Sequence, residues 1–365
     1  MRSTGTGATP FDAASHVRLT YLEEPGRDGW SGSGELLAQR YELEERERVG
    51  AQGHFWRARQ LRSRRPVTVQ LLDAAIVEDA VLMEAFLHEA SLAAAIEHPH
   101  VSRVLDYGID YELAGGVPFL VLEPLTGETL ERRLQRHGRL SPPEVALLVS
   151  HAALGLSALH ERGLIHRRLD PAHLLSSDEF RSGSFRAGTF TRSGYCEDAL
   201  ALEGGATTSL LFALDEAFRE SLCLVHKLSH QLSGGAPARG PAQPSSHARD
   251  GARPQAAERR HAEAGSYQSP EQLLGHGTVD ARSDLWSLAV ITFEALTGIP
   301  AFGGATLGER LVRVCSGEPS AIPPDLGLPA GFAAWFQRGV RKLPSERFSS
   351  ALEMSDSFAR LLSER

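Results

Sequence analysis

Residues 166–175, HRRLDPAHLL, hold the densest group of side chains that could do chemistry. Asp170 carries a carboxylate, which could accept a proton or offer oxygen to a metal ion. Arg168 stays protonated at any relevant pH and cannot act as a base. His173 could ligate a metal, but it has no cysteine nearby, so a polar residue that fills the loop is the simpler interpretation. The stretch raises the question of whether it serves catalysis at all.

The composition is typical of a folded protein that binds neither nucleic acid nor an anionic membrane surface. The chain has 365 residues, of which 42% are hydrophobic and 23% charged, and its net charge is -8. Its three cysteines, Cys196, Cys223 and Cys315, form no CxxC pair, which argues against a disulfide framework or a zinc site.

The sequence also predicts a cytoplasmic protein without a membrane span. No run approaches the ~18 to 20 apolar residues that a span requires, and residues 145–160 are interpreted as a core helix. The N-terminal residues lack the apolar core of a signal peptide.

Short strands and then helices must position the 166–175 stretch. Strands are predicted at residues 40–49, 54–61, 66–73 and 117–125, where the third alternates around Val67 and Val69. Residues 79–97 have helical spacing, with Phe86, Ala90, Ala93 and Ile96 on one face. Further helices are predicted at 128–135, 142–162 and 282–297, and a last helical block ends near Leu362.

Two segments break this pattern. Residues 1–40 lack periodicity and are predicted to be a disordered lead-in. Residues 189–264 are predicted to be a long, mostly disordered insert, because their second half is dense in Ala, Pro, Gly and Arg. Within the insert, an amphipathic helix is predicted from Thr208 to Leu232, and it could pack on its own domain or bind a partner.

Six motifs in a fixed order resemble those of bacterial, eukaryotic-like (Hanks-type) Ser/Thr protein kinases. They are FLHEASLAAAIEHPHVSRVLDYG, PFLVLEPLTGETL, LHERGLIHRRLDPAHLL, SYQSPEQLLG, DARSDLWSLAVITFEALTGIPAFGG and RKLPSERFSSALE. The resemblance implies an α+β, bilobal fold with a small antiparallel β lobe that has one helix, and a larger helical lobe. The β lobe would span residues 41–124, and the helical lobe 125–188 and 265–365. The insert would then occupy the position of the activation segment.

The resemblance also shows which chemical groups are missing. The phosphate-binding Lys of the family falls on Gln70, its catalytic Asp on Arg168 and its loop Lys on Asp170. Its first metal ligand falls on His173. Thirteen residues after His173 the sequence reads Arg186, Ala187 and Gly188, so Arg186 takes the place of the second metal ligand. We therefore expect no metal site and no phosphoryl transfer.

The nucleotide side of the cleft is altered as well. In the Gly-rich lid the first glycine has become Arg48, while Gly50 and Gly53 are kept, and a simple turn between strands is the plainer interpretation. Phe55 replaces the Val that covers adenine and is expected to fill part of that space. The resemblance makes Gly50, Gly53, Phe55, Gln70, Glu123 and Leu125 weak candidates for binding a nucleotide. No cofactor is expected, beyond weak binding of ATP without Mg²⁺.

Residues that build the scaffold match the family better than those that react. Glu271 and Arg347 resemble the pair that ties the activation segment to the last helices, and Asp284 and His166 resemble the residues that hold the catalytic loop. Glu89 lies at the edge of an apolar helix face, where a carboxylate requires a partner. Because Gln70 carries no charge, we predict that Arg186 or Arg168 pairs with Glu89.

Three functions fit these observations. The first is an inactive pseudokinase that acts as a signalling scaffold or allosteric regulator through protein partners, an active Ser/Thr kinase among the candidates. The second is an atypical active Ser/Thr kinase in which a group such as Asp170 serves as the base. The third is a sensor that binds anions or nucleotides without metal through Arg48, Arg168 and Arg186. For Arg168 and Arg186, neutral change in an unused site is the alternative to a new structural role.

Overall fold

The computed structural model describes residues 34–50, 53–72, 75–113, 116–124, 127–177, 207–210, 266–275, 279–304 and 306–363. Its first lobe is a six-stranded antiparallel sheet with the order β1-β2-β3-β4-β6-β5. The strands are β1 (Leu36–Leu37), β2 (Tyr41–Gly50), β3 (Gly53–Gln60), β4 (Pro66–Leu71), β5 (Val104–Asp110) and β6 (Val117–Leu122). The short helix α1 (Ala75–Glu78) and the longer α2 (Ala80–Ala94) lie between β4 and β5.

Alternation along β4 separates the two faces of this sheet. Val67, Val69 and Leu71 are buried in a cluster that belongs to the first lobe alone. Thr68 and Gln70 are buried on the other face, 3% and 2% exposed. On the side of the sheet that carries α2, Phe86 and Ala90 join a larger core that continues into the second lobe. The two lobes thus share one apolar core.

The second lobe is mostly helical. It begins with β7 (Glu128–Thr129), α3 (Leu130–His137) and α4 (Pro142–His160), and a one-turn 3₁₀ helix (Pro171–His173) leads into β8 (Leu174–Ser177). After β9 (Thr207–Leu210) come α5 (Pro270–Leu274), α6 (Ala281–Thr297), α7 (Leu307–Ser316), α8 (Phe332–Gly339) and α9 (Ala351–Ser363). The α+β, bilobal fold predicted from the sequence is confirmed.

Helix α6 is the centre of the second lobe. Asp280 caps its first turn by accepting a hydrogen bond from the Arg282 N–H, and nearly every residue from Ser283 to Thr297 is buried. It ends at Gly298, whose φ is +75°. A Cβ atom at Gly298 would lie 2.8 Å from the Gly138 carbonyl oxygen at the end of α3, so a side chain would separate two helix ends that touch.

Helix α4 is the one helix of the described residues long and apolar enough to cross a membrane by length and composition. Its residues Val145, Val149, Leu156 and Leu159 are fully buried in the shared core. This placement agrees with the interpretation of residues 145–160 as a core helix.

The first strand begins earlier in the sequence than predicted. Strand β1 pairs with β2, so Leu37 lies opposite Tyr41, and Leu37 is fully buried. Residues 34–40 therefore belong to the sheet and not to a disordered lead-in. The prediction failed because the turn that follows uses positive φ at Ala38 and Gln39, residue types that do not indicate such a turn. Residues 1–33 lie outside the described residues.

A second difference concerns the predicted insert. Thr207–Leu210 form β9, which pairs antiparallel with β8, with Leu210 opposite Leu174 and Thr207 opposite Ser177. The helix predicted from Thr208 therefore does not begin there, because these residues complete a three-stranded sheet with β7 and β8. The remainder of that helix, and most of the 189–264 insert, lie outside the described residues.

Candidate functional site

The 166–173 loop connects α4 to β8 and is held by buried polar contacts. Asp284, in the first turn of α6, accepts hydrogen bonds from the main-chain N–H groups of His166 (2.9 Å) and Arg167 (2.7 Å). His160 Nε2 lies 2.7 Å from the same carboxylate. Burial alone would raise the pKa of Asp284, but the bond to His160 and the nearby His166 outweigh it, so the pKa lies below its ordinary value. Asp284 therefore anchors the loop as an anion.

Arg167 takes part in three different contacts. Its φ is +63°, in the left-handed region that non-glycine residues rarely occupy. Its N–H is held by Asp284, and its carbonyl oxygen accepts a hydrogen bond of 2.6 Å from Gln272 Nε2 on α5. Its guanidinium Nη1 lies 3.4 Å from Glu89 Oε1 on α2. One residue thus touches α2, α5 and α6.

The pairing of Glu89 differs from the prediction. The described cation that pairs with Glu89 is Arg167, the residue beside Arg168, and Arg186 lies outside the described residues. Spacing in the sequence could not separate two adjacent arginines, because the unusual φ of Arg167 decides which side chain faces α2. Gln70 is buried in β4, and within the described chain its Oε1 atom has no hydrogen-bond partner.

The Arg167 guanidinium does not fully compensate for the burial of Glu89. Burial raises the pKa of Glu89 above its ordinary value, and the Arg167 guanidinium lowers it by less. A single contact of 3.4 Å is long for a charge-assisted hydrogen bond. The cation therefore only partly offsets the loss of hydration.

Asp170 is engaged as a local cap. Its Oδ1 accepts hydrogen bonds from the N–H groups of Ala172 (2.7 Å) and His173 (3.2 Å), and it lies 2.8 Å from His173 Nδ1. Burial acts to raise the pKa of Asp170, but His173, these N–H donors and Arg168 outweigh it, so the pKa lies below its ordinary value. An oxygen that accepts two main-chain hydrogen bonds, on a group that resists protonation, is poorly suited to act as a base.

The predicted position of Arg186 has to be weighed against the pairing of β8 with β9. Antiparallel pairing puts the end of β9, Leu210, opposite Leu174, which directly follows His173. The 29 residues between Ser177 and Thr207, Arg186 included, connect two neighbouring strands. Counting along the sequence from His173 therefore does not establish which residue faces the loop. The end of β9, Leu210, lies next to the end of the loop. Arg186 lies outside the described residues.

On the nucleotide side, Phe55 lies opposite Gln70 in the pairing of β3 with β4, so the two side chains project from the same face of the sheet. Phe55 is partly buried and packs against the core shared by the lobes. Gly50 and Gly53 pair as the last residues of the β2–β3 hairpin, and residues 51–52 lie outside the described residues. Glu123 is exposed and its Oε1 accepts a hydrogen bond from the Arg103 N–H, while Leu125 lies outside the described residues.

The predicted scaffold pair is present. Arg347 Nη1 and Nη2 donate to Glu271 Oε1 and Oε2, both at 2.7 Å, and Ser283 Oγ donates to the same carboxylate. The Arg347 side chain is 0% exposed, and that of Glu271 is 7% exposed. Burial would raise the pKa of Glu271, but Arg347 and Ser283 hold it below its ordinary value.

A further contact between the lobes, which the sequence did not indicate, is made by histidines. The rings of His100, in the loop after α2, and His151, on α4, are stacked with centroids 4.2 Å apart, and His98 lies 5.5 Å from His100. Burial, followed by the positive charge of His100, lowers the pKa of His151 to about 4. In the described ranges, no three side chains of His, Cys, Asp or Glu are grouped so as to hold a metal ion.

Comparison with known proteins agrees with this architecture. The model of the protein kinase domain family matches residues 45–188. The serine/threonine-protein kinase PknB of Mycobacterium tuberculosis is 28% identical over 328 residues, which cover 89% of this chain and 43% of PknB. PknH of Mycobacterium bovis is 26% identical over 310 residues, covering 84% of this chain and 41% of PknH. The chain thus spans less than half the length of these relatives.

Among solved structures, the kinase domain of Mycobacterium tuberculosis PknI, crystallised as a point mutant, matches with a TM-score of 0.59. The match covers 91% of this chain and 98% of the PknI domain at 19% identity, so it bears on the fold alone. The chain therefore has the protein kinase fold, and its sequence similarity is to bacterial Ser/Thr protein kinases.

Proposed function

We propose that this kinase-like domain is a pseudokinase, which does not transfer phosphate and acts as a signalling scaffold or allosteric regulator. The observation that carries the proposal is the state of the 166–173 loop. Arg168 has no lone pair for a proton, and the Asp170 carboxylate already accepts two main-chain hydrogen bonds and lies beside the His173 ring. At the position of the phosphate-binding Lys, Gln70 is neutral and buried. Arg168 and Asp170 thus supply no suitable base, and Gln70 supplies no positive charge at the lysine position.

The test is incubation with labelled ATP and either Mg²⁺ or Mn²⁺, in the presence of a mixture of Ser/Thr peptides. We expect no incorporation above that of heat-denatured protein. Robust incorporation that is lost in an Asp170→Ala variant, with its fold verified by circular dichroism, would contradict the proposal. An Asp280→Ala variant is the matched control, because Asp280 also caps a helix but lies outside the loop.

An atypical active kinase is the second candidate, and the pairing of β8 with β9 favours it. Because β9 ends at Leu210, opposite Leu174, counting from His173 does not identify the second metal ligand. The first acidic residue after Leu210 in the sequence is Asp215, which lies outside the described residues. Metal-dependent incorporation that is abolished by Asp215→Asn, and unaffected by Arg186→Met, would establish this candidate.

Nucleotide binding is a separate question from transfer. We infer at most weak binding of ATP without Mg²⁺, since Phe55 and Gln70 share one face of the sheet and Phe55 packs into the core. A thermal-shift titration with ATP, with and without Mg²⁺, is expected to raise the melting temperature by less than about 2 °C. A large shift without metal would favour the anion sensor, and a large shift that requires metal would favour the active kinase.

The partners and location proposed here follow from that role. We propose a protein partner, with an active Ser/Thr kinase as the first candidate, and a cytoplasmic location, without nucleic acid and without a membrane span. Affinity purification of the tagged chain from cells under cross-linking is expected to recover a kinase. Recovery in the membrane fraction would contradict the location.

A further inference from the structure

The contact between Glu89 and Arg167 joins an element of the first lobe to an element of the second. Glu89 lies on α2 and Arg167 in the 166–173 loop, 78 residues away. Their side chains are 18% and 20% exposed, so the pair lies largely within the protein. Any rotation of α2 away from the second lobe has to break this ion pair.

The main chain of Arg167 is fixed more tightly than its side chain. Its N–H donates to Asp284 at 2.7 Å and its carbonyl oxygen accepts from Gln272 at 2.6 Å. These bonds come from α6 and α5, and they hold Arg167 at a φ of +63°. Backbone in this region is retained only where the surroundings impose it. Arg167 therefore carries both the side-chain contact with α2 and the main-chain bond to α5.

Stability alone does not explain the pair. Arg167 only partly offsets the burial of Glu89, so the carboxylate costs free energy relative to a neutral side chain of the same shape. Ion pairs with such a balance specify one arrangement of the elements that they join. Arg167 contacts both Glu89 and Gln272, the first with its guanidinium and the second with its carbonyl oxygen.

We propose that Glu89 and Arg167 form an interlobe latch that holds α2 against the 166–173 loop without nucleotide, and that Arg167 couples the position of α2 to that of α5. The latch replaces the contact that a lysine at position 70 would make, and it requires neither ATP nor metal. Since both of its side chains belong to the chain itself, it holds whether or not the chain transfers phosphate. A partner that moves α2 would thereby also change α5, which begins the segment that follows residue 265.

The experiment is hydrogen–deuterium exchange by mass spectrometry on the full chain without nucleotide. The variants are Glu89→Gln, Arg167→Met and the double variant. We expect amide exchange in peptides of α2, of residues 165–170 and of α5 to become at least about fivefold faster in each single variant. Peptides of α9 should keep their native exchange rates. The double variant should be no faster than the singles, because the second substitution removes a partner that is already lost.

Arg103→Met is the matched control, since Arg103 pairs with Glu97 just beyond α2 but both side chains are more than half exposed. It should leave exchange in residues 165–170 and α5 unchanged. Native exchange of α5 in both single variants, or additive effects in the double variant, would overturn the proposal. If Arg167→Met does not fold, Arg167→Lys keeps the charge and tests the same coupling, with partial loosening of α2 and α5 expected. This experiment uses no labelled ATP. A result against the latch is therefore distinct from a result against the proposed pseudokinase function.

Discussion

The molecule contains two buried Glu–Arg pairs whose surroundings differ. In the second lobe, Glu271 and Arg347 share two hydrogen bonds of 2.7 Å, and Ser283 donates a third to the carboxylate. Between the lobes, Glu89 and Arg167 share one contact of 3.4 Å. The pKa of Glu271 lies below its ordinary value and that of Glu89 above it. The burial of the glutamate is thus fully compensated in the second lobe and only partly compensated between the lobes.

The difference shows which of the two buried carboxylates is fully compensated for its loss of hydration. The pair in the second lobe has bidentate geometry and further donors, which is what a buried ion pair requires to offset its desolvation. The pair in the cleft combines a glutamate that has no lysine at position 70 with an arginine from the 166–173 loop. The Glu271 carboxylate accepts three hydrogen bonds, whereas the Glu89 carboxylate has one long contact with Arg167.

The largest expected effect comes from breaking the well-matched pair. Arg347→Met leaves the Glu271 carboxylate buried without its cation and should cost ~3 to 5 kcal/mol of unfolding free energy. Urea denaturation followed by tryptophan fluorescence measures this value. Arg338→Met, which removes an exposed pair with Glu353, is the control and should cost less than ~1 kcal/mol. Equal losses in the two variants would remove the contrast between buried and exposed pairs.

The next effect tests an interlobe contact built of stacked histidine rings. His151 has a pKa of about 4 in the folded chain, against 6.5 in the unfolded chain, because of burial and of His100. Protonation therefore favours unfolding, and stability should fall by ~2 to 3 kcal/mol as the pH decreases from 6.5 to 4. The other charged groups at this contact are His98, His100 and Glu161.

Unfolding free energies measured at pH 7, 6, 5 and 4 give the slope. His151→Phe should flatten it, whereas His137→Phe, which alters an exposed histidine on α3, should not. An unchanged slope in His151→Phe would show that other groups dominate acid unfolding.

A third prediction separates the two glutamates by the sign of their pH response. The folded pKa of Glu89 is raised, so its contribution to stability is complete below the unfolded value of 4.5 and is lost as the pH rises through the folded value. The unfolding free energy of Glu89→Gln should therefore change in the variant's favour, relative to the native chain, as the pH rises above 4.5, so that any deficit seen at low pH becomes smaller. Glu271, whose folded pKa is lowered, behaves in the opposite way, and Glu271→Gln should lose most stability at pH 7. The experiment measures urea midpoints of the Glu89→Gln and Glu271→Gln variants over a range of pH. If both pairs were equally well matched, the two sets of midpoints would change with pH in the same direction.

The smallest effect concerns the backbone of Arg167. Arg167→Ala and Arg167→Gly both remove the guanidinium, but only glycine adopts a φ of +63° without strain. The glycine variant should therefore be more stable than the alanine variant by about 1 kcal/mol. Thermal unfolding of the two proteins measures the difference. A more stable alanine variant would show that the turn relaxes once the side chain is gone, so that no strain is stored there.

Most of the scaffold could be predicted from the sequence because it depends on local patterns. The apolar spacing of Phe86, Ala90 and Ala93 placed α2, and Asp79 does cap its first turn. The resemblance to the kinase family placed Glu271 near Arg347, and Asp284 near the loop, where polar groups must be satisfied if the lobe is to pack.

The parts that could not be predicted depend on contacts between distant residues or on rare backbone angles. Strand β9 pairs with β8 across 29 residues, and no local signal in Thr207–Leu210 identifies its partner. The use of Arg167 instead of Arg168 is decided by one φ angle that side-chain chemistry does not specify. The entry of the chain at Leu37 likewise depends on a turn made by Ala38 and Gln39.

The first turn of α6 has a consequence for how the second lobe loses its structure. Ser283 donates to the carboxylate that α5 supplies, and the adjacent Asp284 holds two main-chain amides of the 166–173 loop. Neither neighbouring segment can detach without disturbing this one turn, in which Ser283 and Asp284 are fully buried. The three segments should consequently open together as a single subglobal unit, with slow and correlated opening.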